Sequence, residues 1–469
     1  MSLPEYRGVG SSQGLHKRRR RGRRDSEIPP EETLRRFGPV GKRIGITRLA
    51  DVTGLDHVGL PVCLALRPTA RSLVTSIGKG LTPAAAKAGA LMEAVETWHA
   101  EHLGLPTRTG TYEEMAGVAR AVDPARLPRA FGGSVTRGQS RRWLRGTDLV
   151  TGADTWVPYE SVSMNFTAGE LGEPGLARNS NGLASGNSLE QALLHGLCEV
   201  VERDAESRWR ADSASYRIRL DTVTDPVCRR LIGMTRAAGL ELAAWDVTSH
   251  TQVPCYGCVV LAPPHRRDVL DAGVHDGFGC HPSPAAAFAS AVKEALQKRL
   301  TYIAGSRDDL SREELDRVRA PELVRAVWDE LAGEPEEVDF RERGEMWGAA
   351  VSGAGVSGAG VSGPCVLDAV SSCAAVSGSV SARAVPSDPV SASAVSPDAA
   401  ASSADELAAV VRAVTAHPQH TAVAVDLTRP GLGVPVVKVI VVGMEGPYGM
   451  CESGLGGDSP LHADAADVP

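Results

Sequence analysis

Three times along this 469-residue chain a hydroxyl side chain is followed at +11 and +14 by acidic or amide residues: Thr82 by Glu93 and Glu96, Ser188 by Glu199 and Glu202, Ser283 by Glu294 and Gln297. Each stretch predicts a helix entered through a Ser or Thr N-cap, whose side-chain oxygen accepts an otherwise orphaned backbone N–H. Two of the three place proline next (Pro83, Pro284), where its missing N–H costs nothing. At helical pitch the +11 and +14 positions share one face, so each helix projects a pair of oxygen-bearing side chains. Gathered by the fold, five carboxylates and an amide need cations to hold them together. That donor set points to a Mg2+–polyphosphate site built from helix faces.

Taken singly, each acidic pair reads as an ordinary solvated face; the recurrence after the same kind of cap is what points to a site. The first helix gathers Ala84, Ala88, Leu91, Met92 and Val95 on an apolar face and sets Glu93 and Glu96 opposite, beside Ala85, Gly89 and Ala100. In the second, Leu189, Leu193, Leu197, Val200 and Val201 form the core face. Opposite them run Gln191, His195, Glu199, Glu202 and Glu206, with no lysine to balance them and with Arg203 at the edge.

The segments before these helices are glycine-rich: Ser76-Ile77-Gly78-Lys79-Gly80 and Ser180-Asn181-Gly182-Leu183-Ala184-Ser185-Gly186-Asn187. Read as loops, they let backbone N–H groups approach a phosphate at a helix N-terminus, with Lys79 adding a point charge. Neither has the Walker A spacing, which excludes a P-loop NTPase. Arg299 and Arg307 either neutralise phosphate or form surface ion pairs, and His195 and His281 are either acid–base groups or packed polar residues.

A net charge of -7 argues against a general nucleic-acid binder. The basic run from His16 to Arg24 therefore reads as a solvated terminal arm rather than a nucleic-acid contact. No N-terminal apolar signal segment is present, and the most apolar late stretch, Val434 to Val442, is strand-length and broken by Lys438. A soluble, cytoplasmic protein without membrane contact is the expectation. The nine cysteines are odd in number and scattered, as reduced core thiols are. Cys255 and Cys258 fall in a strand, Val253 to Leu261, where residues three apart face opposite sides.

Strand patterns alternate with the helices: residues 43 to 73, 133 to 165 with a hairpin signal at Gly152 and Asp154, Leu240 to Val247, and Val253 to Leu261. The fold class is α+β (mixed α/β) with mixed sheets. Residues 345 to 403 carry Val-Ser-Gly-Ala repeats and Ser/Ala/Pro text too poor in large side chains to offset chain entropy. A helix from Asp405 to His417 and a hairpin, Ala422 to Leu427 and Val434 to Val442 around Pro430-Gly431, follow. The expected organisation is a basic arm (1–38), a catalytic core (39–330), an insertion interrupting it (331–404), the rest of the core (405–450) and a tail (451–469).

At these residues the chain resembles YcaO-domain proteins, over residues 40 to 325 and again from 420 to 447. The matching motifs are Gly78-Lys79-Gly80 with Glu93-x-x-Glu96, and Ser180-Asn181-Gly182-x-Ala184-x-Gly186 running into Gly196-Leu197-x-Glu199-x-x-Glu202-Arg203. Glu294-Ala295-x-Gln297-x-Arg299 with Gly305-Ser306-Arg307-Asp308-Asp309 is the third. The resemblance implies a YcaO-type ATP-binding fold that holds ATP and Mg2+ and activates backbone amide oxygens of a ribosomally made precursor peptide. It places Glu93, Glu96, Glu199 and Glu202 on Mg2+, and Ser76, Lys79, Ser180, Asn181, Gln191, Arg203, Gln297 and Arg299 on the nucleotide. It identifies no catalytic base.

Three departures bear on the product. Where the family usually has Glu before Ala in the second helix, this chain has Gln191, a neutral donor; Glu190 lies about 100° away around the helix. The chain ends without the Pro-x-Pro-x-Pro tail common in azoline-forming members. Glu96 is followed by Thr97 and Trp98 rather than Arg, wording similar to the subgroup that works with a TfuA-like partner. The implied activity is thioamide formation with that partner, with an azoline-forming cyclodehydratase and a catalytically weak peptide-binding or regulatory scaffold as the alternatives. A homodimer is compatible with the sequence, which does not fix the oligomeric state.

Overall fold

The computed structural model describes residues 28–340 and 402–446, apart from 131–132, 168–174, 213–215, 267–269, 271, 308, 334–335 and 445. Most of the expected arm, most of the insertion and the tail lie outside the described residues. Where the arm was expected to run on to residue 38, helix α1 (Pro30–Arg43) begins instead. Pro30 in the first turn starts this helix rather than breaking it, and Phe37 and Val40 are buried with Leu91, Met92 and Val95.

Strands β1 (Arg48–Asp51), β2 (Val62–Leu66) and β3 (Thr75–Lys79) form an antiparallel sheet in that order. Helix α2 (Pro83–Glu101) crosses it, capped as expected by Thr82, whose side chain accepts from the Ala85 N–H. The segment read as a glycine-rich loop is thus strand β3. Gly78 is there for packing: a Cβ at that position would stand 2.1 Å from the Ala86 carbonyl oxygen of α2. Ala86, Ala90 and Ala94 pack on Cys63 and Ala65 of β2, so the small-residue face of α2 is buried as fully as the large one.

After β4 (Thr107–Gly110), α3 (Tyr112–Ala116) and β5 (Arg120–Ala121) come the hairpin strands β6 (Arg141–Asp148) and β7 (Asp154–Pro158), then β8 (Leu183–Ser185). The long helix α4 (Leu189–Asp212) follows. Next are β9 (Tyr216–Arg219), α5 (Pro226–Ala237), β10 (Glu241–Asp246), β11 (Cys255–Leu261) and β12 (His275–Cys280), then α6 (Pro284–Ala304), capped by Ser283. Cys255 packs on the α4 side of β11 and Cys258 on the other, as period-two alternation requires.

Helices α7 (Arg312–Val318) and α8 (Pro321–Leu331) lead to β13 (Glu337–Asp339), which pairs in parallel with β9 and closes a five-stranded sheet, β12-β11-β10-β9-β13. Ordered structure therefore runs past the expected start of the insertion, because Val338 and Phe340 join the core beside Tyr256 and Phe288. Helix α9 (Ser403–Thr415) starts at Ser402, whose hydroxyl forms a capping box with Asp405. The hairpin β14 (Thr421–Asp426) and β15 (Val436–Val442) enters the largest sheet, order β5-β7-β6-β14-β15-β8, with β4 paired to β6. Strands from both sides of residues 341–401 thus share hydrogen bonds in one sheet.

Candidate active site

The three capped helices bring their acidic faces to one buried place. Lys79, the last residue of β3, is fully buried, with its ammonium 3.9 Å from Glu294 Oε2 of α6. Burial lowers its pKa to about 8, against the pull of Glu294, and Glu202 and Glu93 also act on it. Lys79 Nζ has no hydrogen-bond acceptor among the described residues.

Arg203 of α4 joins the helices. Its Nη2 donates to Glu202 Oε1 at 2.8 Å and to Glu294 Oε1 at 3.4 Å, and its Nη1 donates to Glu206. The other Glu202 oxygen accepts the Cys280 N–H at the end of β12, at 3.0 Å. Burial pushes the Glu202 carboxyl up to about 8; Arg203 opposes the shift, and Glu294 and Glu199 add to it. Glu96 faces the β8 side, where its Oε1 accepts both the N–H and the hydroxyl of Ser185 at 2.7 Å. Glu93 acts on Lys79 and on Arg307, which also pairs with Asp309.

Polar atoms that ask for a ligand line the same region. Both amide atoms of Gln297 are buried without a hydrogen-bond partner among the described residues, as are Ser180 Oγ and Asn181 Oδ1. A buried amide left so costs about 1–3 kcal/mol per group, so its persistence fits a site completed by a polar ligand. Ser180 and Asn181 precede the turn at Gly182, whose φ of +77° only glycine adopts freely; a Cβ there would stand 2.1 Å from the Val439 carbonyl oxygen. Ser76 is buried in β3, opposite Ala65 of β2. The donors are hard oxygens and the cations are Lys79 and Arg203, a set that suits Mg2+ and a polyphosphate together.

Two expected nucleotide contacts make bonds within the fold, with Arg299 Nη1 left buried and without a hydrogen-bond partner among the described residues. Arg299 is fully buried on α6, with its Nε donating to Asp56 at 2.9 Å and its Nη2 to the Leu270 carbonyl at 2.8 Å. Gln191 Oε1 accepts the Asn187 N–H at 2.7 Å, while the Gln191 N–H donates to Ser188 Oγ at 3.2 Å. It braces the entry of α4 in the manner of a capping box. His281 Nδ1 accepts the Ser283 N–H at 2.9 Å, and burial, with His195 and Lys293 nearby, pushes its pKa down to about 4.

The sequence reading placed Glu206 on the acidic face of α4 but missed the buried charges it meets behind Arg203. Glu206 and Asp276 of β12 both accept from Arg210 Nη2, and Lys298 pairs with Asp276 as well. Those counterions pull Asp276 well below the usual carboxylate range despite the opposing effect of burial. The available signal was positional: His275 to Cys280 lies before α6 as Thr75 to Lys79 lies before α2, each with glycine where the strand meets the helix.

Comparison with known proteins bears on the family and the fold. Residues 77–445 match the family model described as YcaO cyclodehydratase, ATP- and Mg2+-binding. A protein of Rhizobium leguminosarum bv. trifolii, described as an uncharacterized protein in the tfuA 3' region, is 36% identical over 319 residues, 64% of this chain and 73% of that one. Among solved structures, YcaO from Methanopyrus kandleri bound with AMPPCP and Mg2+ superposes with a TM-score of 0.59 at 23% identity, covering 89% of this chain and 91% of that one. A heterocyclase in complex with substrate and cofactor gives 0.63 at 19% identity over 92% of this chain, which spans 55% of that longer protein. At these identities the structures speak to the fold, an α+β arrangement with mixed sheets.

Proposed function

The chain belongs to the YcaO family, ATP- and Mg2+-binding proteins, and we propose that it activates backbone amides of a ribosomally made precursor peptide, forming thioamides with a TfuA-like partner. The observation that carries the reading is the convergence of Lys79, Arg203, Glu202 and Glu294, from β3, α4 and α6, with Glu93 and Glu199 in electrostatic reach. Bound Mg2+·ATP supplies the phosphoryl group that makes the resonance-stabilised amide oxygen a leaving group.

The chain's own residues then have separable roles. Glu93, Glu96, Glu199 and Glu202 hold the cations, and Glu202 sheds its proton to do so. Lys79 and Arg203 offset phosphate charge, while Ser76, Ser180, Asn181 and Gln297 orient the nucleotide. Arg299 and Gln191 hold α6 and the entry to α4 in place, acting on the site through their neighbours. The tfuA setting of the Rhizobium relative favours the thioamide product. The cyclodehydratase in the family description favours azoline formation, the second reading.

The test is mass spectrometry of a precursor peptide incubated with the full chain, a TfuA-like protein, Mg2+·ATP and a sulfide source. A gain equal to oxygen-for-sulfur exchange is the expected result. Loss of one water per site would replace it with the azoline reading. An unchanged peptide with no ATP turnover would favour the scaffold.

A further inference from the structure

Helix α6 carries a buried lysine that the fold leaves without a counterion. Lys293 is only 5% exposed, yet no carboxylate and no hydrogen-bond acceptor pairs with it among the described residues. The carboxylate next to it in sequence faces other cations: Glu294 Oε1 accepts from Arg203 at 3.4 Å, and Glu294 Oε2 lies 3.9 Å from Lys79. Lys298, five positions on, does have an anion, Asp276. Burying a charge is costly unless something pairs with it, so Lys293 asks for a partner that the chain does not supply.

Lys293 and Gln297 stand four residues apart on α6, so their side chains adjoin on one face. Both amide atoms of Gln297 are themselves buried without a partner among the described residues. The Lys293 charge acts on Lys79 of β3 and on His281, which precedes the Ser283 cap. It acts as well on Cys228, whose Sγ donates to the Ala285 carbonyl at 3.2 Å in the first turn of α6. Helical side chains lean toward the N-terminus of their own helix. These neighbours place the Lys293 side chain along the N-terminal half of α6, where the helix dipole adds positive potential. Two lysines, a helix N-terminus and an unpartnered amide therefore border one place. The ligand that satisfies all of them is an anion with several oxygens.

We infer that Lys293 is a third cation of the nucleotide site, binding the polyphosphate of Mg2+·ATP together with Lys79 and Arg203 and next to Gln297. The inference rests on the nucleotide site of the proposed function, not on its thioamide product. A lysine offers a flexible point charge rather than a planar fork, so Lys293 can follow a phosphate oxygen while Gln297 adds one donor and one acceptor beside it. In the nucleotide-free protein the same lysine is a liability, because its charge is buried and uncompensated.

The experiment is calorimetric titration of the full chain with AMPPCP in excess Mg2+, and separately with Mg2+ alone. Lys293→Met should weaken AMPPCP binding about tenfold or more, the loss of one charge-assisted contact. Lys293→Arg, which keeps the charge, should recover part of it. Mg2+ alone should bind Lys293→Met as well as wild type or more tightly, because a positive charge has left an acidic cluster. The thermal midpoint of nucleotide-free Lys293→Met should rise, since an apolar chain of similar length replaces an unpaired buried charge. A lysine that merely supported the fold would give the reverse: a lower midpoint, with AMPPCP and Mg2+ binding weakened alike. That pattern, or unchanged AMPPCP affinity in Lys293→Met, overturns the inference. A wild type that binds AMPPCP yet leaves the precursor peptide unmodified overturns the thioamide reading alone; one that binds no AMPPCP overturns both.

Discussion

Burial raises the Glu202 pKa from 4.5 to about 8, so between those values the folded chain holds a proton that the unfolded chain has released. Stability of the metal-free protein should therefore fall as pH rises through that window. Lys79 has the opposite sign: burial lowers it from 10.5 to about 8, so its contribution is recovered only as pH climbs from 8 to 10.5. The expected outcome is a thermal midpoint that declines up to pH 8 in wild type and flattens in Glu202→Gln; equal slopes would place the titration on another group. Glu199→Gln should lower ATP turnover by about a hundredfold or more, since the proposed function makes it a cation ligand rather than a supporting contact. Gln191→Glu should change turnover far less, because Glu keeps the acceptor for the Asn187 N–H. A gain in Mg2+ affinity in that variant would return residue 191 to the metal.

At the scale of elements, two strands lie on two helices through glycine. A Cβ at Gly78 would meet α2 backbone atoms at 2.1 Å, and one at Gly279 would meet the Ala287 carbonyl of α6 at the same distance. Close approach of β3 sets where Lys79 emerges, and close approach of β12 sets where the Cys280 N–H meets Glu202. Gly78→Ala should cost about 1–3 kcal/mol through overpacking. It should also raise the KM for Mg2+·ATP, because the next residue is Lys79. Denaturant midpoints and steady-state kinetics read the two effects separately, and an unchanged KM beside a large stability loss would detach strand placement from nucleotide binding.

For the whole molecule, β14 and β15 sit between β6 and β8 rather than at an edge. A chain truncated after Phe340 would lose α9 and both strands, baring apolar surface and unpaired backbone in the middle of the sheet. We expect it to be unfolded or aggregated by circular dichroism and gel filtration; a folded monomer would contradict the shared core. Among the described residues no helix is long and apolar enough to cross a membrane.

The helices were legible because their signals are local. Caps at Thr82, Ser188 and Ser283 act within one turn, and the +11 and +14 residues share a face by helical geometry alone. The strands β3 and β12 were hard to read because glycine erases the side-chain alternation that marks a strand. What sequence order could not assign were the partners of residues on a shared helix: Glu294 reaches Arg203, whereas Arg299, five positions on, is buried against Asp56. Such pairings join residues far apart in the chain, and only packing of the closed sheets decides them. Burial itself, which raises the Glu202 pKa and lowers that of Lys79, is likewise a property of the assembled core and of no single segment.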